Sequence, residues 1–388
     1  MSTIKVNSIK NTSTDDGGIA IDNTGHVQVD GVQLPTAGPF SNRNLVVNGA
    51  MRVAQRGTSF AAATSDTYAA DRWEYERSTD AVVTVSQETD APPGYKNSIK
   101  AEITTADTST AASAFTQFLY KIEANDISHL EYGTADAKTC TISFWAKHSL
   151  AGTYPFSVQN HNGSRVFPSS YTINTANTWE YKTITFAGDT GGTWTTNGNG
   201  LGIRFIFPWN MGSNFTGGTA GAWAATTSFA DLVPTAGPDI NGTVGNTVQW
   251  AGVQLEVGEK ATPFEHRSYG DELAKCQRYF YKIGGDTVDT ALGIGAVYSS
   301  TQINVHLDLP CAMRTKPSAT TTGASNWLYV AQGASSQTSS SSAAIGDGGD
   351  INLTTLRLFI ESLSSLTTGN AVWCLVNANH SLDFSAEL

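Results

Sequence analysis

The sequence predicts an all-β protein whose main body is a two-sheet β-sandwich, followed by a short helical connector and a second β unit. Three observations predict it. Apolar and polar residues alternate over short runs, as at Cys140, Ile142, Phe144 and Ala146, and again at Ile203, Phe205 and Phe207. Gly, Asn, Asp, Ser and Thr cluster between the runs, which marks turns. Charged residues make up only 15 % of the 388 residues, against roughly 25 % in typical soluble domains, so solubility rests on uncharged hydrogen-bonding side chains. Such surfaces suit an exposed β protein and can also contact sugars.

Residues 1–40 carry strand-like pieces of three to five residues: Ile4 and Val6, Ile19 and Ile21, then Val27 and Val29. Polar turn clusters separate them, Asn11 to Gly18 and Asp22 to His26. Strands this short cannot bury a core alone. Either identical chains intertwine, with Ile19, Ile21, Val27 and Val29 facing a shared axis, or the segment is a disordered arm. Val32 to Phe40, with Pro35 and Pro39, reads as a linker.

Residues 41–268 form the main domain. Strands are predicted at Leu45–Val47, Trp73–Tyr75, Ala81–Val85, Ile99–Ile103, Ala114–Lys121, Cys140–Lys147, Phe156–Gln159, Glu180–Phe186, Leu201–Phe207 and Thr247–Leu255, the last with a bulge near Gly252. Two sheets about 10 Å apart can bury the apolar faces of such strands without helices. Residues 269–281 form the connector: Leu273, Cys276 and Phe280 fall on one helical face, with Asp271 and Glu272 in the first turn and Lys275 and Arg278 later, as the helix dipole favours. Residues 282–388 form the distal β unit, with strands at Ala291–Tyr298, Gln302–Leu309, Asn326–Val330, Leu353–Phe359 and Ala371–Val376, and a Ser-rich loop from Gly333 to Ser342.

Charge excludes some classes. The net charge is −11 and Lys and Arg do not cluster, so nothing is available to neutralise a run of phosphates and nucleic acid is not a predicted partner. No run approaches the roughly 18 apolar residues of a membrane span, so membrane insertion is not predicted. Met1 to Lys5 carries no apolar signal core, so synthesis in a cytoplasm is expected. Cys140, Cys276, Cys311 and Cys374 are far apart and sit among apolar neighbours, which reads as free buried thiols.

No catalytic site, metal or cofactor is predicted. The seven His residues show no ligand spacing, and neither a G-x-S-x-G elbow nor a P-loop occurs. Asp347-Gly348-Gly349-Asp350 reads as a tight polar turn, with a calcium loop as the alternative. Glu74 and Glu76 share a strand face, which reads as solvent-facing, whereas a glycosidase needs two carboxylates across a cleft. Sugar binding needs flat aromatic faces beside fixed polar groups. The candidates are Trp194, Trp209 and Trp223 in Gly-, Asn- and Thr-rich stretches, and Trp327 with Tyr329 beside the Ser-rich loop. Trp145, Trp179 and Trp250 lie in or at the ends of alternating strands and read as core.

One stretch also carries a resemblance. Leu255-Glu256-Val257-Gly258, then Thr262-Pro263-Phe264-Glu265-His266-Arg267, then Glu272 to Phe280, resembles the closing segment of jelly-roll domains in tail fibres and related appendages of tailed bacteriophages. The opening is similar too: Asn44 to Gly49, Gln55 to Ser59, and Tyr68 to Trp73. The paired ends also resemble carbohydrate-binding modules of the galactose-binding jelly-roll type. Ile4-Lys5-Val6-Asn7-Ser8-Ile9 resembles fibre N-termini that dock onto a virion. The resemblance covers residues 1–10 and 41–281 and is weak beyond them. It implies a jelly-roll sandwich in a homotrimeric virion fibre, held to tail or baseplate proteins through an N-terminal segment that includes Ile4, Val6 and Ile9. Its distal part would adhere to host-surface polysaccharide and would not be an enzyme. Two alternatives stay open: a structural, decoration or adaptor protein that binds no glycan, and a polysaccharide depolymerase. Asp71-Arg72-Trp73, Arg56 and Arg267 read as structural.

Overall fold

A computed structural model of the chain describes residues 8–10, 18–21, 27–29, 32–33, 41–226, 229–322, 327–332, 335–339, 343–345, 353–361 and 363–388. Ile4, Val6 and the Asp347–Asp350 turn lie outside them. The described residues are almost entirely antiparallel β-structure with one α-helix. They divide into two compact units, residues 1–52 with 58–267 and residues 53–57 with 268–388.

The chain opens with a meander of very short strands, β1 (Ser8–Lys10), β2 (Gly18–Ile21), β3 (Val27–Val29) and β4 (Val32–Gln33), paired in that order. Its register sets Ile9 opposite Ile19, Ile19 opposite Val29 and Ile21 opposite Val27. Because side chains alternate between faces, these five branched residues share one face. Ile9, Ile19 and Ile21 are 62 %, 44 % and 46 % exposed, so the face is apolar and uncovered within one chain.

The sandwich follows. Its strands are β5 (Ser59–Phe60), β6 (Thr67–Ala70), β7 (Trp73–Ser78), β8 (Val82–Glu88), β9 (Ser98–Thr105), β10 (Phe115–Glu123), β11 (Cys140–His148), β12 (Gly152–Asn160), β13 (Arg165–Ile173), β14 (Glu180–Phe186), β15 (Leu201–Met211), β16 (Ala224–Ala225) and β17 (Thr247–Val257). One sheet runs β16-β13-β12-β15-β10-β7-β6 and the other β14-β11-β17-β9-β8-β5. Their facing sides bury Trp73, Tyr75, Phe118, Phe144, Phe156, Phe205, Phe207 and Trp250, among others. The bulge at Gly252 is present: opposite Phe144 of β11 the register jumps from Ala251 to Gln254, and Gly252 takes φ +60°. A Cβ there would lie 2.5 Å from the Tyr95 ring, so only glycine fits.

Several strand assignments differ from the sequence reading, among them the short β5, β6 and β16, which it did not give. Leu45–Val47 joins no ladder, and Val47 already belongs to a turn. Arg165–Ile173 is a strand, although Pro168 and two serines argue against one. Its outer neighbour β16 pairs only with Arg165 and Val166, so the missing proline N–H faces no ladder partner. In β15 the strand runs through Pro208 to Met211. Gln117 pairs with Pro208 but Thr116 with Asn210, so Trp209 is the extra residue of a bulge.

The residues that carry the family resemblance form a clasp between the ends of the sandwich. The Asn44 amide oxygen accepts from the backbone N–H of Val46 and Leu255, its Nδ2 donates to the Val253 carbonyl, and its own N–H donates to Glu265. Arg267 donates to the carbonyls of Val46 and Asn44. Asp71-Arg72-Trp73 plays a similar part, with the Trp73 indole donating to the Asn48 carbonyl and Asn48 donating to the Asp71 carbonyl.

The second unit starts with α1 (Tyr269–Gln277), capped by Ser268, whose hydroxyl accepts from the Asp271 N–H. Strands β18 (Phe280–Gly284), β19 (Thr290–Ser299), β20 (Gln302–Asp308), β21 (Ser318–Thr321), β22 (Leu328–Gln332), β23 (Ser335–Ser339), β24 (Ala343–Ile345), β25 (Thr355–Ile360), β26 (Ala371–Val376) and β27 (Ser381–Ser385) follow. They form a three-stranded sheet, β18-β27-β21, and a seven-stranded one, β23-β22-β26-β19-β20-β25-β24. The predicted Ser-rich loop therefore contains a strand, β23, paired along β22. Serine composition alone cannot reveal it, because the pairing uses backbone groups. Within this unit Arg56 pairs with Glu387 at 3.1 Å and lies over the Phe280 ring. None of the four cysteines is in a disulfide, and Cys140, Cys276 and Cys374 are buried.

Candidate ligand cleft

Strands β12, β15, β10 and β7 are consecutive neighbours in the sandwich's seven-stranded sheet, and their alternation sends one set of side chains into the core and the other outward. The outward set is unusual for a solvent face. It includes Glu74 and Glu76 on β7, Phe115, Gln117 and Leu119 on β10, Arg204, Ile206 and Met211 on β15, and Gln159 on β12. The chain between β15 and β17 folds back over part of it. Leu232 and Val233 from that excursion bury with Leu119, Val166, Ile206 and Met211 in a satellite apolar cluster, and Phe215 packs against it. What remains open is a cleft of about 250 Å³. Its apolar lining is Phe115, Leu119, Ile206, Met211, Phe215 and Leu232, and its polar lining is Glu76, Gln117, Gln159 and Arg204.

The polar groups are arranged in two pairs. Gln117 donates from Nε2 to Glu76 Oε2 at 3.0 Å. Arg204 donates from Nε to Gln159 Oε1 at 2.6 Å. Each charged partner fixes the orientation of its amide, since a carboxylate only accepts and a guanidinium only donates. The other half of each amide is then left over. Gln117 Oε1 and Gln159 Nε2 are buried and have no hydrogen-bond partner, with Gln117 6 % and Gln159 0 % exposed. Leaving a buried polar atom unsatisfied costs about 1–3 kcal/mol. The Arg204 guanidinium meets no carboxylate within ion-pair distance among the described residues. Burial pulls it below its ordinary value, while the charges of Glu76 and Glu74 act the other way.

Glu74 does not face solvent as the sequence suggests. It is 3 % exposed, pairs with Lys121 at 2.7 Å and accepts from the Tyr68 hydroxyl. Burial raises its pKa, against the pull of Lys121. Among the described residues no three His, Cys, Asp or Glu side chains are grouped to hold a metal ion. None of the described helices is long and apolar enough to cross a membrane.

The aromatic candidates from the sequence do not line this cleft. Trp209 is a core residue: it is fully buried, stacks on Tyr75 and donates to Asn241. It continues the inward phase of Ile203, Phe205 and Phe207, and it offers no face to a sugar. Trp327 is likewise enclosed in the core of the second unit. Trp194 and Trp223 are half-buried and meet edge to face at 5.5 Å, in a cluster with Tyr132. Their indole N–H groups are engaged by Asp189 and the Ala187 carbonyl, and Arg165 grips Asp189 through two hydrogen bonds. Tyr329 is half-buried on the outer face of the second unit's large sheet, opposite Leu375. The cleft residues were missed because only their outward phase is visible in the sequence. Which strands are neighbours, and so which polar side chains meet, is decided by cross-strand register.

No protein-family model matches the chain, and no curated protein matches it. Solved structures with a similar fold include the enzymatically active domain of bacteriophage CBA120 tailspike protein 4, at 16 % identity, TM-score 0.32, over 55 % of this chain and 21 % of that one. A family 11 carbohydrate-binding module of a cellulosomal cellulase of Clostridium thermocellum matches at 13 % identity, TM-score 0.27, over 52 % and 97 %. The module TmCBM61 in complex with β-1,4-galactotriose matches at 10 % identity, TM-score 0.29, over 56 % and 100 %.

Proposed function

We propose that this protein is a glycan-binding fibre or appendage subunit of a tailed-phage virion, and that the cleft on β12, β15, β10 and β7 is its sugar site. The observation that carries the reading is that Gln117 and Gln159, each with one unsatisfied amide atom, line a cleft with apolar walls. A pyranose has both complements, hydroxyls that donate and accept and C–H faces that pack on Phe115 and Phe215. The volume, below the roughly 300–1,000 Å³ of drug-sized sites, suits one or two sugar rings.

The apolar face of the N-terminal meander, with Ile9, Ile19, Ile21, Val27 and Val29, supports self-association there, as a trimer in the phage reading, with the segment before it contacting tail or baseplate proteins. Several weak clefts per fibre would then act multivalently. Adhesion without turnover is the chemical reading: the cleft is lined by one carboxylate, Glu76, whereas glycoside hydrolysis uses two. The test is binding of the fluorescently labelled full-length chain to host cells and to their extracted surface polysaccharide. The double variant Gln117→Leu/Gln159→Leu should stay folded and lose at least tenfold in affinity. Full retention of binding by that variant would overturn the cleft assignment, and progressive shortening of the polymer would overturn adhesion without turnover.

A further inference from the structure

We infer that the cleft selects a sugar bearing a carboxylate, held by Arg204 and Gln159, with the sugar's hydroxyls directed to Gln117 and Glu76. The inference rests on the reading of the cleft as a glycan site and deepens it by assigning ligand class and orientation. Its basis is an asymmetry in what the cleft lacks. At the β12–β15 end the groups left over are donors: Gln159 Nε2, fully buried and without a partner, and the terminal nitrogens of Arg204, whose Nε alone is engaged by Gln159. At the β10–β7 end they are acceptors: Gln117 Oε1, buried and without a partner, and the Glu76 carboxylate.

A neutral hydroxyl can complete one donor. It cannot compensate a guanidinium that burial has partly stripped of water, because partly buried charges are normally paired. The missing group at the donor end is therefore an anion with two acceptor oxygens, which a planar guanidinium binds through paired, charge-assisted hydrogen bonds. Carboxylate is the anion that common sugars carry directly on the ring carbons. The acceptor end repels a second carboxylate, since Glu76 is there and Glu74 lies behind it. It takes hydroxyl donors instead. A single acidic sugar with its carboxylate at Arg204 satisfies both ends at once.

The test uses the full chain, labelled for NMR of its Gln side-chain amides, titrated with matched probes: D-glucuronate against D-glucose, D-galacturonate against D-galactose, and trigalacturonate against its carboxyl-reduced form. At least one acidic probe should bind tenfold or more tightly than its neutral counterpart. The Gln159 amide should move with it, and the preference should shrink in added salt. Arg204→Gln should reduce acidic binding to the neutral level while neutral binding survives. Equal binding within all pairs would overturn the acidic-sugar inference and leave the glycan site standing. If no probe of either kind moves the Gln117 or Gln159 signals, the glycan reading itself falls. The comparison within wild-type protein does not depend on any variant folding.

Discussion

The two units each contain a seven-stranded antiparallel sheet, and the outer faces of those sheets are opposites. In the sandwich, the outer face is roofed by the β15–β17 excursion, and its floor mixes buried apolar groups with amides and charges whose hydrogen bonding is incomplete. In the second unit the outer face is open. Trp373 on β26 stands between Ala331 of β22 and Ile294 of β19, and Leu375 stands between Tyr329 and Ala291. Ile294, Tyr298 and Trp373 are 72 %, 65 % and 52 % exposed. Farther across, Asn304 pairs with Phe359, over whose ring Arg357 lies at 4.8 Å. A roofed floor with unsatisfied polar atoms discriminates by hydrogen bonding, since a ligand lacking the complement leaves those atoms unpaired. An open apolar face has no such filter. Under the proposed glycan reading, specificity belongs to the sandwich and the second unit offers contact area.

That contrast can be broken or sharpened by experiment. The largest effect is expected from Ile206→Ser, which places a hydroxyl in the roofed apolar cluster and removes buried methyl groups. It should cost the sandwich about 3 kcal/mol, read by calorimetry on the full chain. A loss under 1 kcal/mol would mean that the roof is not closed in solution. Gly218→Ala comes next. Its Cβ would lie 2.5 Å from the Asp231 carbonyl oxygen and 2.7 Å from Pro168, so the roof must shift, at about 2 kcal/mol. Ligand affinity should fall with stability, and unchanged affinity would separate the roof from the site.

The third effect is pH dependence. Burial lowers the pKa of His148 to about 3, and its Nδ1 accepts from the Gln249 N–H while Nε2 meets the Tyr171 hydroxyl. Between that value and the roughly 6.5 of an unfolded His, the unfolded chain binds the extra proton. Stability therefore falls as pH falls through this window, by about 1.4 kcal/mol per pH unit, and is fully retained above it. His148→Gln should flatten the profile over pH 4–6, and an unchanged slope would remove His148 as its source. The smallest effect belongs to the open face. Ile294→Ser and Trp373→Ser should each change stability by about 0.5 kcal/mol or less. A loss of several kcal/mol would show that something covers that face.

Much of the fold was legible in advance. Glu180–Phe186 was read with its observed bounds, and the bulge at Gly252 and the helix after Ser268 were read from glycine, acidic first-turn residues and an apolar stripe. These are local signals, set by alternation, caps and turn residues. Pro168 and Pro208 both lie inside strands, because proline excludes a strand only where its missing N–H would face a partner or where no bulge absorbs it. Trp209 shows the consequence for the site: it reads as a loop aromatic beside Pro208, yet the strand runs on through the proline and carries the inward phase of Phe205 and Phe207 to Trp209.

The sequence by itself determined the β class, the sandwich body, the free thiols and the apolar alternation of the first forty residues, because each follows from periodicity or composition. Only the tertiary structure decided where a ligand could bind. Glu76 and Arg204 lie 128 positions apart in the sequence, with Gln117 and Gln159 between them, and what brings the four together is the strand order β12-β15-β10-β7 together with the register that leaves two of their amide atoms unsatisfied. Strand order and register come from long-range pairing of backbone groups, and these are the same in every residue, so the side-chain pattern does not record them.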